Sequence, residues 1–278
     1  MSTDSPPGRR IDTTKPSPAR IYDYGLGGKN NYAVDREAAE QGLKVFPEGR
    51  QLALANRQFL VRAVRYLAEQ GIDQFIDIGT GLPTPPNVPQ VAREINPRAR
   101  VVGVDNDPTV LVHNRALVAV DDGVTTVDGD VRDPDQILDD PELRALIDLD
   151  RPVAVLLVAL LHFVQDEEDP AGIVARLAER IVPGSYVVIS ATTSTGAPAE
   201  VLDKFEQIYR KSTSPVVIRP EGQIRSWFDP LDLVDPGMVD IVDWRPALQE
   251  LPPSPGPLVW PQDLRTSIRI VGGVAQKR

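Results

Sequence analysis

The stretch Phe75-Ile-Asp-Ile-Gly79-Thr-Gly81-Leu-Pro83 decides the fold. Phe and Ile are strand formers, and the run ends on glycines that let the backbone turn sharply and approach a ligand closely. Working outward, the same rhythm repeats. Short apolar runs at 75–79, 101–105, 125–128, 153–160 and 185–189 read as strands. Helical patterns at 88–95, 109–120, 136–147 and 171–181 fall between them. The run 153–160 is apolar on both faces, as a doubly covered strand requires. Strands alternating with helices predict an α/β fold, a parallel sheet with helices on both faces. Further helices are expected over 199–211 and 221–228, two more strands over 239–244 and 267–274, and a proline-rich surface loop over 251–261.

Upstream, residues 1–19 are rich in Pro, Ser, Thr and Arg and are expected to form a disordered tail. Residues 20–32 carry glycines and three tyrosines, too many glycines for a good helix. Helices are expected over 34–44 and 50–70. In the second, Leu52, Ala55, Phe59, Ala63 and Leu67 define one apolar face, and Gly71 sits where a C-terminal cap belongs. The expected organisation is therefore a tail (1–19), a helical cover (20–70) and an α/β domain (71–278).

The chain of 278 residues is 41% hydrophobic, enough for a sizeable core. Its net charge of −10 repels phosphate backbones and argues against a nucleic-acid partner. There are no cysteines and two histidines, His113 and His162, so no metal site built on Cys and His is expected. The longest clean apolar run, 153–161, falls far short of the ~20 residues of a membrane span. No membrane partner is expected, and a cytoplasmic location is.

In an open α/β sheet, ligands bind beyond the carboxyl ends of the strands. The first strand presents Asp77, Gly79, Thr80 and Gly81; a carboxylate there can hold a cationic group. The second ends in Asp105, where a Rossmann-type acid accepts from ribose hydroxyls. After the third come Asp130 and Val131, an acid for an adenine amine beside an apolar residue for its ring. A dinucleotide fingerprint would need a third glycine. Thr84 stands there, among Pro83, Pro85 and Pro86, which remove N–H groups a pyrophosphate would want. A ribose acid without a phosphate cradle points to a nucleoside ligand lacking a pyrophosphate, of which S-adenosylmethionine is the common one.

Several motifs together resemble a bacterial family of S-adenosyl methyltransferases long catalogued as a domain of unknown function. They are Arg20-Ile-Tyr-Asp-Tyr-Gly-Leu-Gly-Gly-Lys-Asn-Asn-Tyr-Ala-Val-Asp-Arg36, Asn56-Arg57, the 75–83 stretch, Val104-Asp-Asn-Asp-Pro108, Leu161-His-Phe-Val164 and Gly272-Gly-Val-Ala275. The resemblance spans nearly all of the chain after residue 19. Gly25 departs from it, standing where a larger apolar residue is expected. It implies a Rossmann-like, seven-stranded, mostly parallel sheet with the last strand antiparallel. It also implies S-adenosylmethionine as cofactor, held by Asp77, Gly79, Gly81, Asp105, Asn106 (beside the adenine), Asp130 and Val131.

The expected activity is methyl transfer to a small-molecule acceptor. A non-catalytic S-adenosylmethionine-binding module and an NAD-dependent oxidoreductase are the alternatives. His162, near the end of the fourth strand, reads either as a general base or as a buried histidine bonded to backbone. The tyrosine-bearing stretch reads either as a loop folding over the ligand, with Tyr24 contacting it, or as a structural wrap. An acceptor pocket is expected where this cover meets Ser190-Ala-Thr-Thr-Ser194.

Overall fold

The computed structural model describes residues 11–118, 122–246 and 266–278. Helices α1 (Pro18–Gly25), α2 (Ala33–Val45) and α3 (Gly49–Glu69) come first. Then β1 (Gln74–Ile78), α4 (Val88–Ile95), β2 (Arg100–Asp105), α5 (Pro108–Val118), β3 (Val124–Asp128), α6 (Pro134–Leu138), α7 (Pro141–Leu146), β4 (Ala154–Val158), α8 (Pro170–Arg180) and β5 (Tyr186–Thr193) alternate. The chain ends with α9 (Ala199–Tyr209), α10 (Glu221–Ser226), β6 (Asp232–Leu233), β7 (Val239–Asp240) and β8 (Arg269–Gln276). No helix among the described residues is long and apolar enough to cross a membrane.

The strands form one sheet in the order β3-β2-β1-β4-β5-β8-β6, with β7 also on β8. β1 to β5 are parallel, and β8 runs antiparallel along the whole of β5. The sheet has eight strands rather than the expected seven. Since β5 occupies one edge of β8, β6 and β7 share the other as two pieces of a broken seventh position. The turn at Gly237, φ 89°, lies between them.

Strand alternation sorts the core. Ile76, Ile78, Val102, Val104, Val155 and Leu157 face α6, α7, α8 and Trp227. Phe75, Val101, Ala154, Leu156 and Val188 face the opposite way, onto α3, α4 and Trp244. Helix α3 is thus part of the sheet's own core and not only a cover.

Four local expectations differ from what is observed. Residues 11–17 do not trail away: Arg20 Nη2 donates to the Asp12 and Lys15 carbonyls, and the Ser17 amide donates to Asp35. Residues 18–25 are helical, started by Pro18, with the glycines confined to the end and the following loop. The expected helix over 136–147 is two, because Pro141 breaks it and Asp140 caps the second piece through the Glu142 and Leu143 amides, at 2.8 and 3.1 Å. The expected strand over 239–244 stops at Asp240, whose side chain turns the chain by accepting from Val242, and this brings Ile241 and Trp244 into the core. Residues 119–120 of the fifth expected helix and the proline-rich loop at 251–261 lie outside the described residues.

Candidate functional site

A cavity of about 620 Å³ opens at the carboxyl ends of β1, β2 and β4, where strand order reverses, and α1 to α3 roof it. The volume suits a small-molecule site, commonly ~300–1,000 Å³. Asp77, Gly79, Thr80, Gly81, Asp105, Asn106, Asp130, Val131 and His162 all line it.

Gly79 and Gly81 adopt φ of 74° and 65°, left-handed backbone that favours glycine. A Cβ on Gly79 would lie 2.7 Å from Leu160 Cδ1. The turn they make aims the Gly81 amide at Asp105 Oδ2, 2.9 Å away, while the Asp107 amide donates to Oδ1 at 2.9 Å. Asp105 is buried, and burial pushes its carboxyl up to about 6 in spite of these donors. Burial also raises Asp77, against the Thr80 hydroxyl donating at 2.8 Å and the nearby Arg57. Asp130 behaves oppositely. Burial pulls it up, but the Arg132 amide, the Asn106 side chain at 2.9 Å and the Arg132 guanidinium outweigh it and hold the carboxyl below the usual range. Asn106 and Asp130 therefore act as one unit beside Val131, with Arg132 braced by Glu168 at 2.7 Å.

His162 is buried in a 3₁₀ turn after β4, its Nδ1 facing the Thr192 amide at 3.5 Å and its ring edge-on to Phe163. Burial and then the charge of Arg219 push its pKa down to about 3. It is a neutral imidazole across the physiological range, able to accept a hydrogen bond but a weak proton acceptor. His113 sits on α5, away from the cavity.

Tyr24 does not reach the cavity. Its hydroxyl donates to Glu40 at 2.6 Å, and its ring lies under Arg50. In a helix, residues two apart point about 200° from each other, so Tyr22 takes the inward position instead, its hydroxyl bonded to the Ala53 carbonyl and to Asn56. Asn56 in turn accepts from Ser190 Oγ at 2.7 Å, so the roof does meet the 190–194 segment, which is strand up to Thr193.

The roof is anchored by a buried ion pair, Arg20–Asp35 at 2.8 Å. Ser17 Oγ donates to Asp107 at 2.5 Å, which ties the roof to the loop that also positions Asp105. Asp23 accepts from the Asn30 amide and from Asn31, and the glycine-rich loop folds so tightly around it that a Cβ on Gly28 would lie 2.0 Å from its carboxylate. Arg57 lines the cavity too; sequence reading quotes it only within a motif. Its one signal is the polar run Asn56-Arg57-Gln58 between the apolar stretches 52–55 and 59–61 of the helix.

The N-terminus of α4, where a dinucleotide phosphate would sit, is closed. Asn87 accepts from the Gln90 amide at 3.0 Å, Pro89 stands in the first turn, and neither lines the cavity.

A reversed-order α/β sheet with acids at three successive strand ends around one cavity defines a Rossmann-like nucleoside-binding protein. The donor set fits S-adenosylmethionine: a ribose acid, an adenine-edge pair beside Val131, and a buried carboxylate for an ammonium. The chain matches the S-adenosyl methyltransferase family over residues 4–278 and belongs to it, with S-adenosylmethionine as cofactor. Two solved structures are similar over nearly their whole length. A candidate methyltransferase from Thermobifida fusca is 38% identical, covers 100% of both chains and superposes with a TM-score of 0.84. A DUF574 family protein from Streptomyces avermitilis is 40% identical over 97% of this chain and 100% of its own, with a TM-score of 0.86. Among curated proteins none matches.

Proposed function

We propose that this protein is an S-adenosylmethionine-dependent methyltransferase acting on a small-molecule acceptor. The observation that carries the reading is the convergence of Asp77, Asp105 and Asp130 on one roofed cavity. When bound, the cofactor supplies an electrophilic methyl on a sulfonium that already carries its leaving group. Asp105 accepts from the ribose hydroxyls, its geometry set in advance by the Gly81 and Asp107 amides. Asn106 and Asp130 read the adenine edge, and Val131 supports the ring. Asp77 faces the ammonium.

The rest of the cavity is the acceptor side. Phe163, Phe205 and Tyr209 form an aromatic wall there, with ring centroids 5.8 and 5.0 Å apart, which suits an apolar or planar acceptor. His162, whose Nδ1 accepts from the Thr192 amide, offers its Nε2–H to that acceptor as a neutral hydrogen-bond donor, so the reaction relies on positioning more than on proton abstraction.

Titration calorimetry with S-adenosylmethionine, S-adenosylhomocysteine and NAD, on the wild type and Asp105→Ala, tests the reading. Binding of the first two, lost in the variant, supports it; binding of NAD alone overturns it. Release of S-adenosylhomocysteine on incubation with candidate acceptors distinguishes an enzyme from a binding module.

A further inference from the structure

Arg57 is a buried cation facing the ligand cavity without an anion of its own. Only 8% of it is exposed. Its Nη2 donates to the carbonyls of Thr84 and Pro86, at 2.5 and 2.7 Å, which fixes the guanidinium plane. Its Nε meets no acceptor. The other arginines lining the cavity are neutralised by the protein: Arg20 by Asp35, Arg50 by Glu40, and Arg132 by Asp130 and Glu168. Arg62 is also buried without a carboxylate, but its Nε and Nη2 donate to the Trp244 and Ile241 carbonyls, and it lies off the cavity. A buried charge is costly unless it is paired or all its donors are hydrogen-bonded. For Arg57, alone among the cavity arginines, no carboxylate of the described residues stands at ion-pair distance.

What does lie near it is Asp77, close enough for each charge to be felt by the other. Strand alternation explains the meeting, because Asp77 is on the same face of β1 as Phe75, the face α3 covers. Opposite charges that sit near each other but unpaired, both buried and both lining one cavity, complement a ligand carrying the reverse pattern at short range. An α-amino-acid end is such a group.

We propose that Arg57 and Asp77 form a zwitterion clamp for the methionyl end of S-adenosylmethionine, Arg57 taking the carboxylate and Asp77 the ammonium. The inference rests on the proposed cofactor site and adds to it the residue that reads the carboxylate. Asp77 lies on β1 in register with Gly103, two residues before Asp105 on the neighbouring β2, so a nucleoside with its ribose on Asp105 has its amino-acid tail directed one strand over, toward Asp77.

The test compares S-adenosylmethionine with decarboxylated S-adenosylmethionine, which keeps nucleoside, sulfonium and amine but lacks the carboxylate. In calorimetry the wild type is expected to prefer the carboxylated ligand by about 10- to 100-fold, the size of a charge-assisted bond in a dry site. In Arg57→Met that preference collapses, because affinity for the carboxylated ligand falls while that for the decarboxylated one is unchanged or improves. Equal loss of both ligands would mean that Arg57 acts only through the 84–86 loop, and would overturn the clamp. A wild type that binds both equally would assign the anion to the acceptor instead, and this comparison holds even if Arg57→Met fails to fold. A wild type that binds neither, nor S-adenosylhomocysteine, overturns the cofactor reading itself and the clamp with it.

Discussion

Asp105 couples cofactor binding to stability, and the coupling has a definite sign. Its carboxyl is pushed up to about 6 in the folded chain, chiefly by burial, against an ordinary value of about 3.9 when unfolded. The folded state therefore holds this proton more tightly. Its contribution is most favourable below about pH 4, is lost as pH rises from about 4 to 6, and is flat above about 7. The difference corresponds to about 3 kcal/mol.

Asp105→Asn isolates the effect. The variant removes the titration, but its amide leaves one of the Gly81 and Asp107 N–H groups without an acceptor, a pH-independent cost of about 1–3 kcal/mol. Urea denaturation followed by circular dichroism, at a series of pH values between about 4 and 7.5, should show the wild type losing about 3 kcal/mol relative to the variant as pH rises. Cofactor affinity should run the other way. Ribose hydroxyls donate to the ionised carboxylate, so wild-type affinity for S-adenosylhomocysteine should weaken by up to about tenfold per pH unit below about 6. A stability difference that stays flat or rises between pH 4 and 7 would refute the reasoning: Asp105 would then be ionised in the free protein without penalty.

Gly79→Ala forces a Cβ to within 2.7 Å of Leu160 at a φ of 74°. It should cost about 2–4 kcal/mol in chemical denaturation and weaken cofactor binding. Asp35→Ala leaves the buried Arg20 with only the longer contact to Asp107, at 3.6 Å, and frees the Ser17 and Tyr32 amides. A loss of about 3–5 kcal/mol is expected, with faster limited proteolysis in the roof. Tyr24→Phe removes an exposed bond to Glu40; it should cost no more than about 1 kcal/mol and leave S-adenosylmethionine affinity unchanged by calorimetry. Because His162 is pushed down to about 3, the pH–rate profiles of the wild type and His162→Asn should share one shape. An inflection near ~6.5 present only in the wild type would make His162 a general base after all.

How much of this was legible follows the range of the interactions involved. The strands β1, β2, β4 and β5 are buried on both faces and each carries an apolar run that its own residues suffice to recognise. The acids at strand ends are equally local, since the strand that identifies Asp77 or Asp105 also aims it at the cavity. Helix α1 is different. Its eight residues begin at Pro18 and end at Gly25, too short to be stable by propensity. What holds it is Arg20 meeting Asp35, and Ser17 meeting Asp107 across 90 positions of chain. The first pair lies within one short stretch that does not say its members meet, and the second lies in no local window, so a glycine-rich stretch reads as a loop, and within a loop nothing separates Tyr22 from Tyr24. β6 fails in the same way: two residues have no period, and only the free edge of β8 makes them a strand. Arg57 is the sharpest case. Its carbonyl partners lie 27 and 29 residues onward, and the anion proposed to complete it is no part of the chain at all. A cation that folding leaves unpaired inside the binding cavity becomes visible only once every protein carboxylate has been placed.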